Sequence, residues 1–209
     1  MAACNPVKVK ICGIRDVPAA LAAAEAGADA LGFVFAPGPR QVSRETARAI
    51  CSELPPFVAR VGVFVDAPAA LAEETADYCG LDVLQLHGNE PPEYCRGLKY
   101  RVVKAFRIKN AASLEMVKKY RCAAVLLDTY VSGLAGGTGC SFDWTIAGEL
   151  ASARPVILAG GLNPENVGRA IEVVRPYAVD VSGGVETNGK KDIEKIRMFI
   201  RRVREVDKT

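Results

Sequence analysis

Histidine is nearly missing from this sequence: His87 is the single one in 209 residues. Seven cysteines are scattered from Cys4 to Cys140 with no C-x-x-C pair. These shortages argue against a zinc site built from Cys and His. An odd, dispersed set of thiols with no secretion signal ahead of it also argues against a disulfide framework. An excess of one charge is missing too. The 27 Lys and Arg against 24 Asp and Glu leave +3, too little to indicate nucleic acid or a membrane surface as partner. No apolar run reaches bilayer length, and MAACNPVKVK at the start lacks the apolar core of a signal peptide. No G-x-x-x-x-G-K-[ST] loop occurs, and no low-complexity stretch or linker divides the chain. These absences leave a cytoplasmic protein with a small-molecule partner, no nucleic-acid or membrane partner, and no metal or cofactor.

What is present is a regular alternation. Short apolar, β-branched runs recur at VKVKICGI (7–14), ALGFVF (30–35), ARVGVFVD (59–66), DVLQLHG (82–88), RVVKAFRI (101–108), AAVLLDT (123–129), RPVILAGG (154–161) and YAVDVSGG (177–184). Near-continuous apolar strands suit a parallel sheet covered on both faces. Helical stretches fall between them: 17–28, 43–54, 67–80, 111–120, a stretch after Asn163-Pro164 that reads as N-cap and first helical residue, and 192–208. The stretch after PPEYCRGL is short or irregular. The last helix carries Ile193, Ile196, Phe199, Ile200, Val203 and Val206 on one stripe, with a basic face opposite that reads as solvated. Eight βα units in about 200 residues is the size of a minimal single-domain (β/α)8 barrel, a TIM barrel. A doubly wound open sheet is the competing architecture. The count of eight favours the barrel, spanning 1–209 as one domain.

In such barrels chemistry sits at the C-terminal ends of the strands. The polar residues there are Cys12, Arg40 in the loop APGPRQVS, Asp66, His87 after Gln85, Arg107, Asp128, and the AGGLN and VDVSGG segments. Gly160 and Gly161 follow the seventh strand; Ser182, Gly183 and Gly184 follow the eighth. Barrels build phosphate sites there from backbone N–H groups, and glycine lets the backbone approach closely. The plainer reading is tight turns. Cys12 and Asp128 end strands on different sides of the barrel. A thiolate and a carboxylic acid facing each other can move one proton off carbon and one onto oxygen. The thiol needs N–H groups or a basic neighbour for this, since a nearby phosphate disfavours the thiolate. The plainer reading of Cys12 is a small core residue. Arg40 is a candidate fork for a substrate carboxylate, or an exposed loop arginine. The glycine-rich SGLAGGTGCSFDW (132–144) suits a flap over the barrel mouth.

VKICG, GFVFAPGPRQVS, VGVFVD, QLHGNE, LLDT, GGTGCSFDW, LAGGLNPENV and VDVSGGVE, in this order, closely resemble the phosphoribosylanthranilate isomerase family, from about residue 8 to the final helix. The resemblance implies a (β/α)8 barrel that performs an Amadori rearrangement in tryptophan biosynthesis with neither metal nor cofactor, as a monomer or a homodimer. It implies that Cys12 is the general base and Asp128 the general acid. It places Arg40 at the anthranilate group and Asp180 near the sugar hydroxyls, with His87 of QLHG among the substrate-binding residues. The phosphate falls to Gly160, Gly161, Ser182, Gly183 and Gly184. Two departures stand out. The family usually reads VDVSSGVE, where this chain has Gly183, and a basic residue usually stands where this chain has Cys140. The alternatives are a related phosphoribosyl isomerase, an indole-glycerol-phosphate synthase with Lys10 or Lys104 as catalytic lysine, and a non-catalytic phosphosugar-binding barrel.

Overall fold

The structure, a computed structural model, describes residues 6–107, 112–128 and 144–206. Eight parallel strands close into a barrel in sequence order, with β8 hydrogen-bonded back to β1. They are β1 Lys8–Cys12, β2 Ala30–Val34, β3 Ala59–Phe64, β4 Val83–Leu86, β5 Arg101–Arg107, β6 Ala124–Asp128, β7 Val156–Ala159 and β8 Ala178–Val181. Helices α1 Val17–Glu25, α2 Arg44–Glu53, α3 Ala69–Cys79, α4 Pro92–Gly97, α5 Ala112–Lys118, α6 Trp144–Ala153, α7 Val167–Val174 and α8 Ile193–Val206 follow the strands in turn. The open sheet is thereby excluded. The proposed flap and its Cys140 lie outside the described residues, as does the end of the fifth strand run beyond Arg107.

The alternation of side chains along each strand divides the interior in two. One set of alternate residues, including Val9, Ile11, Leu127, Leu158, Val179 and Val181, packs outward against the helices. The other set points into the barrel and packs on itself: Val83, Val103, Ala105, Ala124, Leu126, Ile157, Ala159 and Ala178. Lys10 and Cys12 share the inward parity on β1, as do Gln85 on β4, Asp128 on β6 and Asp180 on β8. Polar groups thus crown an apolar plug.

Local signals fix the helix starts. Asp16 caps α1, its carboxylate accepting from the Ala19 amide at 2.9 Å, and Ser43 caps α2 through the Thr46 amide at 3.1 Å; each such cap contributes about 1 kcal/mol. Helix α4 is short, six residues, but it forms within PPEYCRGL, at Pro92–Gly97, and not after it. The start of α7 differs from the sequence expectation. Asn163 caps a turn just ahead of it, its Oδ1 accepting from the Glu165 and Asn166 amides and its carbonyl from the Val167 amide, and the regular helix begins only at Val167. The Asn163 side chain hydrogen-bonds its own neighbours, a habit of asparagine that competes with helix. The basic face of α8 is solvated, with Arg197–Glu194 and Arg202–Glu205 ion pairs along it.

A feature absent from the sequence reading follows β8. A single 3-10 turn at Gly183–Val185 leads into a two-stranded hairpin, β9 Glu186–Thr187 and β10 Lys190–Lys191. Its turn is Asn188-Gly189, both at positive φ (51° and 72°), the geometry that twists a two-residue hairpin correctly.

Candidate active site

A cavity of about 810 Å³ opens at the C-terminal ends of the strands. All ten residues that the sequence singled out line it: Cys12, Arg40, His87 and Asp128 on its walls, Asp180 toward its floor, and the five residues of the two glycine loops. Two other strand-end residues do not. Arg107 is exposed and lies outside the lining. Asp66 ties loops together, its carboxylate accepting from the Asn89 amide at 2.6 Å.

The two glycine loops meet. A Cβ on Gly184 would sit 1.9 Å from the Leu162 carbonyl oxygen, so only glycine lets the loop after β8 lie against the loop after β7. Gly160 and Gly161 hold φ of 88° and 65°, open to glycine without strain. Gly183 is different: its φ is ordinary, and an added Cβ would meet only the Arg40 Nη2, at 3.2 Å.

Cys12 occupies a made-to-measure gap. Gly32, its register partner on β2, has no side chain, and a Cβ there would fall 2.7 Å from the Cys12 Sγ and 3.1 Å from the Lys10 Cε. The thiol and the lysine stem fill the space that Gly32 leaves. Lys10 is only 4% exposed, and its ammonium donates to Asp180 Oδ2 at 2.9 Å. Burial pushes the Cys12 thiol above its ordinary value; the Lys10 charge opposes this and Asp180 adds to it. Lys10 itself stays firmly charged, because the pull of Asp180 and Cys12 outweighs the cost of burial. Asp180 Oδ1 is buried with no hydrogen-bond partner among the described residues. A buried acceptor without a partner is costly, and this one borders the cavity, where a ligand hydroxyl would satisfy it.

Across the mouth, His87 Nε2 lies 3.4 Å from Asp128 Oδ2. His87 Nδ1 faces the Gln85 amide nitrogen at 3.3 Å, an arrangement that puts the imidazole proton on Nε2, toward Asp128. Gln85 Oε1 is the second buried side-chain acceptor left without a partner among the described residues.

Arg40, a candidate carboxylate fork or an exposed loop arginine from the sequence, lines the cavity with one edge already paired: its Nε and Nη2 donate to Glu186 Oε1 and Oε2 at 2.8 and 2.7 Å. Glu186 also accepts from Lys191 at 2.8 Å, and that ammonium donates in turn to the Ser182 carbonyl at 2.9 Å. Burial pushes the Glu186 carboxyl up, but hydrogen bonds from Arg40 and Lys191 prevail and hold it down at about 2. Glu186 and Lys191 come from the β9–β10 hairpin. The Asn188-Gly189 pair was the signal that would have found them. The two candidate lysines separate cleanly: Lys104 faces the outer layer, paired with Glu90 at 3.2 Å and donating to the Gly88 carbonyl, so it is no catalytic lysine of the barrel mouth. Among the described residues no group of His, Cys, Asp and Glu has the arrangement of a metal site, and no helix is long and apolar enough to cross a membrane.

Residues 9–202 match the family model described as N-(5'phosphoribosyl)anthranilate (PRA) isomerase. An N-(5'-phosphoribosyl)anthranilate isomerase of Desulforamulus reducens is 54% identical over 200 residues, 96% of each chain. The crystal structure of the phosphoribosyl anthranilate isomerase of Thermotoga maritima superimposes with a TM-score of 0.89 at 48% identity, covering 95% of this chain and 99% of that one. A further structure of such an enzyme, in complex with reduced 1-(o-carboxyphenylamino)-1-deoxyribulose 5-phosphate, gives a TM-score of 0.86 at 46% identity over the same shares.

Proposed function

This chain belongs to the N-(5'-phosphoribosyl)anthranilate isomerase family, and from that premise we propose how its own residues carry the reaction. It is an isomerase of tryptophan biosynthesis, converting N-(5-phosphoribosyl)anthranilate to 1-(2-carboxyphenylamino)-1-deoxyribulose 5-phosphate. The observation that supports the assignment of roles is the placing of Cys12 and Asp128 on β1 and β6, both lining one cavity with the glycine loops between them at β7 and β8.

The phosphate binds at Gly160, Gly161 and Ser182 to Gly184, where the backbone approaches closely. Asp180 Oδ1 accepts from a ribose hydroxyl. The anthranilate carboxylate meets Arg40 at the end-on edge of the guanidinium, the edge that Glu186 leaves uncovered. His87 Nε2–H holds one oxygen of Asp128, and the other oxygen carries a proton to the furanose ring oxygen. The C1′–O4′ bond breaks and its electron pair stays on oxygen, leaving a protonated Schiff base. The Cys12 thiolate then takes the C2′ proton, and the C–H pair forms the C1′–C2′ double bond of an enolamine. Tautomerisation moves the O2 proton to C1′ and gives the ketone; return of the proton from Cys12 to Asp128 through solvent resets the site. Each proton transfer by a placed group contributes roughly 10²–10⁴-fold.

Around Cys12 stand three cations, Lys10, Arg40 and Lys191, against two carboxylates, Asp180 and Glu186. This balance suits an anionic substrate. The test is turnover of phosphoribosylanthranilate, generated in situ and followed by loss of its fluorescence. Wild type turns over and Asp128→Asn loses about 10²-fold or more in kcat. A wild-type protein that binds the product analogue yet turns over nothing would make the cavity a phosphosugar receptor instead.

A further inference from the structure

Lys10 is a buried ammonium that the mechanism above does not use. It points into the barrel from β1, opposite its register partner Asp180, and the 2.9 Å ion pair with that residue explains how it is tolerated there. The pair does not explain why a cation is present. Its geometry toward Cys12 does. Lys10 and Cys12 are two residues apart on one strand and so share the inward face. The Lys10 Cε and the Cys12 Sγ both crowd the space over Gly32, so the ammonium at the end of that stem lies within electrostatic reach of the sulfur, where its charge favours the thiolate.

We propose that Lys10 is the positioning residue of the proton-abstraction step: anchored by Asp180, its ammonium stabilises the Cys12 thiolate against the burial that opposes it and keeps the sulfur aimed into the cavity. The proposal rests on the reading of Cys12 as the base. It answers the need for a basic neighbour that a thiol beside a phosphate site has. The thiol proton leaves to water through the open cavity. The thiolate accepts the C2′ proton and becomes a thiol again, while Lys10 keeps its own protons throughout. The same arrangement couples binding to chemistry. When a ribose hydroxyl donates to Asp180 Oδ1, part of that carboxylate's charge is taken up, and more of the Lys10 charge is felt by the sulfur.

Other charged groups also face Cys12. Lys191 from β10 favours the thiolate and Asp180 from β8 opposes it; Arg40 lies close enough for its charge to be coupled to the sulfur, and His87 and Asp128 line the far wall. The experiment must therefore isolate Lys10. Alkylation of Cys12 by iodoacetamide, followed on its own peptide by mass spectrometry across pH, reads the thiolate without requiring turnover. In Lys10→Met the midpoint rises by roughly one to three pH units, as expected on losing an opposite charge at this range. In the same variant kcat at neutral pH falls at least about tenfold, KM changes less, and kcat recovers as the pH is raised. Lys10→Met/Asp180→Asn removes both charges; its midpoint also rises, by less. This second variant answers the question if the single one does not fold. A folded variant with the wild-type midpoint overturns the proposal. Cys12→Ala separates the two readings. If it still turns over, the base assignment fails whatever the alkylation shows. If it is dead while the Lys10→Met midpoint stays put, only the role of Lys10 fails.

Discussion

Replacing Gly32 by alanine tests whether the position of the thiol matters. The new methyl would lie 2.7 Å from the Cys12 Sγ, 3.1 Å from the Cys12 Cα and 3.1 Å from the Lys10 Cε. Carbon and its neighbours rest comfortably at about 3.5–4.0 Å, so the sulfur must retreat by roughly 1 Å. The Cys12 Cα belongs to a strand locked into the ring and gives little. A displacement of about 1 Å at a reacting group costs on the order of 10²-fold, or about 2.7 kcal/mol in the barrier. The effect should fall on kcat, because Arg40 and the glycine loops proposed to hold the substrate are untouched. Overpacking of this kind costs about 1–3 kcal/mol in stability. For a chain of this size that lowers Tm by roughly 2–12 °C, so the variant remains folded at assay temperature. The measurement is steady-state turnover by fluorescence, with circular dichroism melts as the control for folding. A folded Gly32→Ala with kcat within about threefold of wild type would refute the claim that the site is built around a fixed sulfur.

Three further outcomes follow from the same geometry. Gly184→Ala drives a methyl to 1.9 Å from the Leu162 carbonyl, so the two glycine loops part and KM rises at least about tenfold; an unchanged KM would remove these loops from phosphate binding. Gly183→Ser has only the flexible end of Arg40 to displace; it folds normally and lowers KM through a new hydroxyl, with kcat unchanged, in steady-state kinetics. Glu186 titrates at about 2 in the folded protein instead of near 4.5. A carboxyl depressed on folding stabilises fully above about pH 4.5 and loses that contribution as the pH falls toward 2. The Tm difference between wild type and Glu186→Gln therefore narrows between pH 4.5 and 2, and a gap constant over that window would show that the Arg40–Glu186–Lys191 cluster contributes nothing to stability.

The barrel was legible because each strand is an apolar run closed by a turn residue, and because eight of them in 209 residues favour a closed barrel over the open sheet that strand closure then excluded. Cys12, Asp128 and the glycine loops were legible for a related reason: position at a strand's C-terminal end is readable from the strand itself. The electrostatics were not. Lys10 sits mid-strand among apolar residues, and its significance depends on Asp180, 170 residues away, brought opposite it only by closure of β8 on β1. Arg40 could be placed at the mouth but not paired, since its partner Glu186 belongs to a hairpin of two-residue strands too short to show a period. The start of α7 shifted for a local reason: Asn163 and Asn166 bond each other reciprocally in a capped turn, and the regular helix follows only at Val167.

The most direct test of the central claim is the kcat of Cys12→Ala beside its affinity for the reduced product analogue. The account predicts a loss of about 10²-fold or more in kcat with affinity within a few-fold of wild type, because phosphate, ribose and anthranilate are held by other residues. A Cys12→Ala enzyme that keeps its kcat would contradict it, and would return Cys12 to the role of a small residue filling the gap beside Gly32.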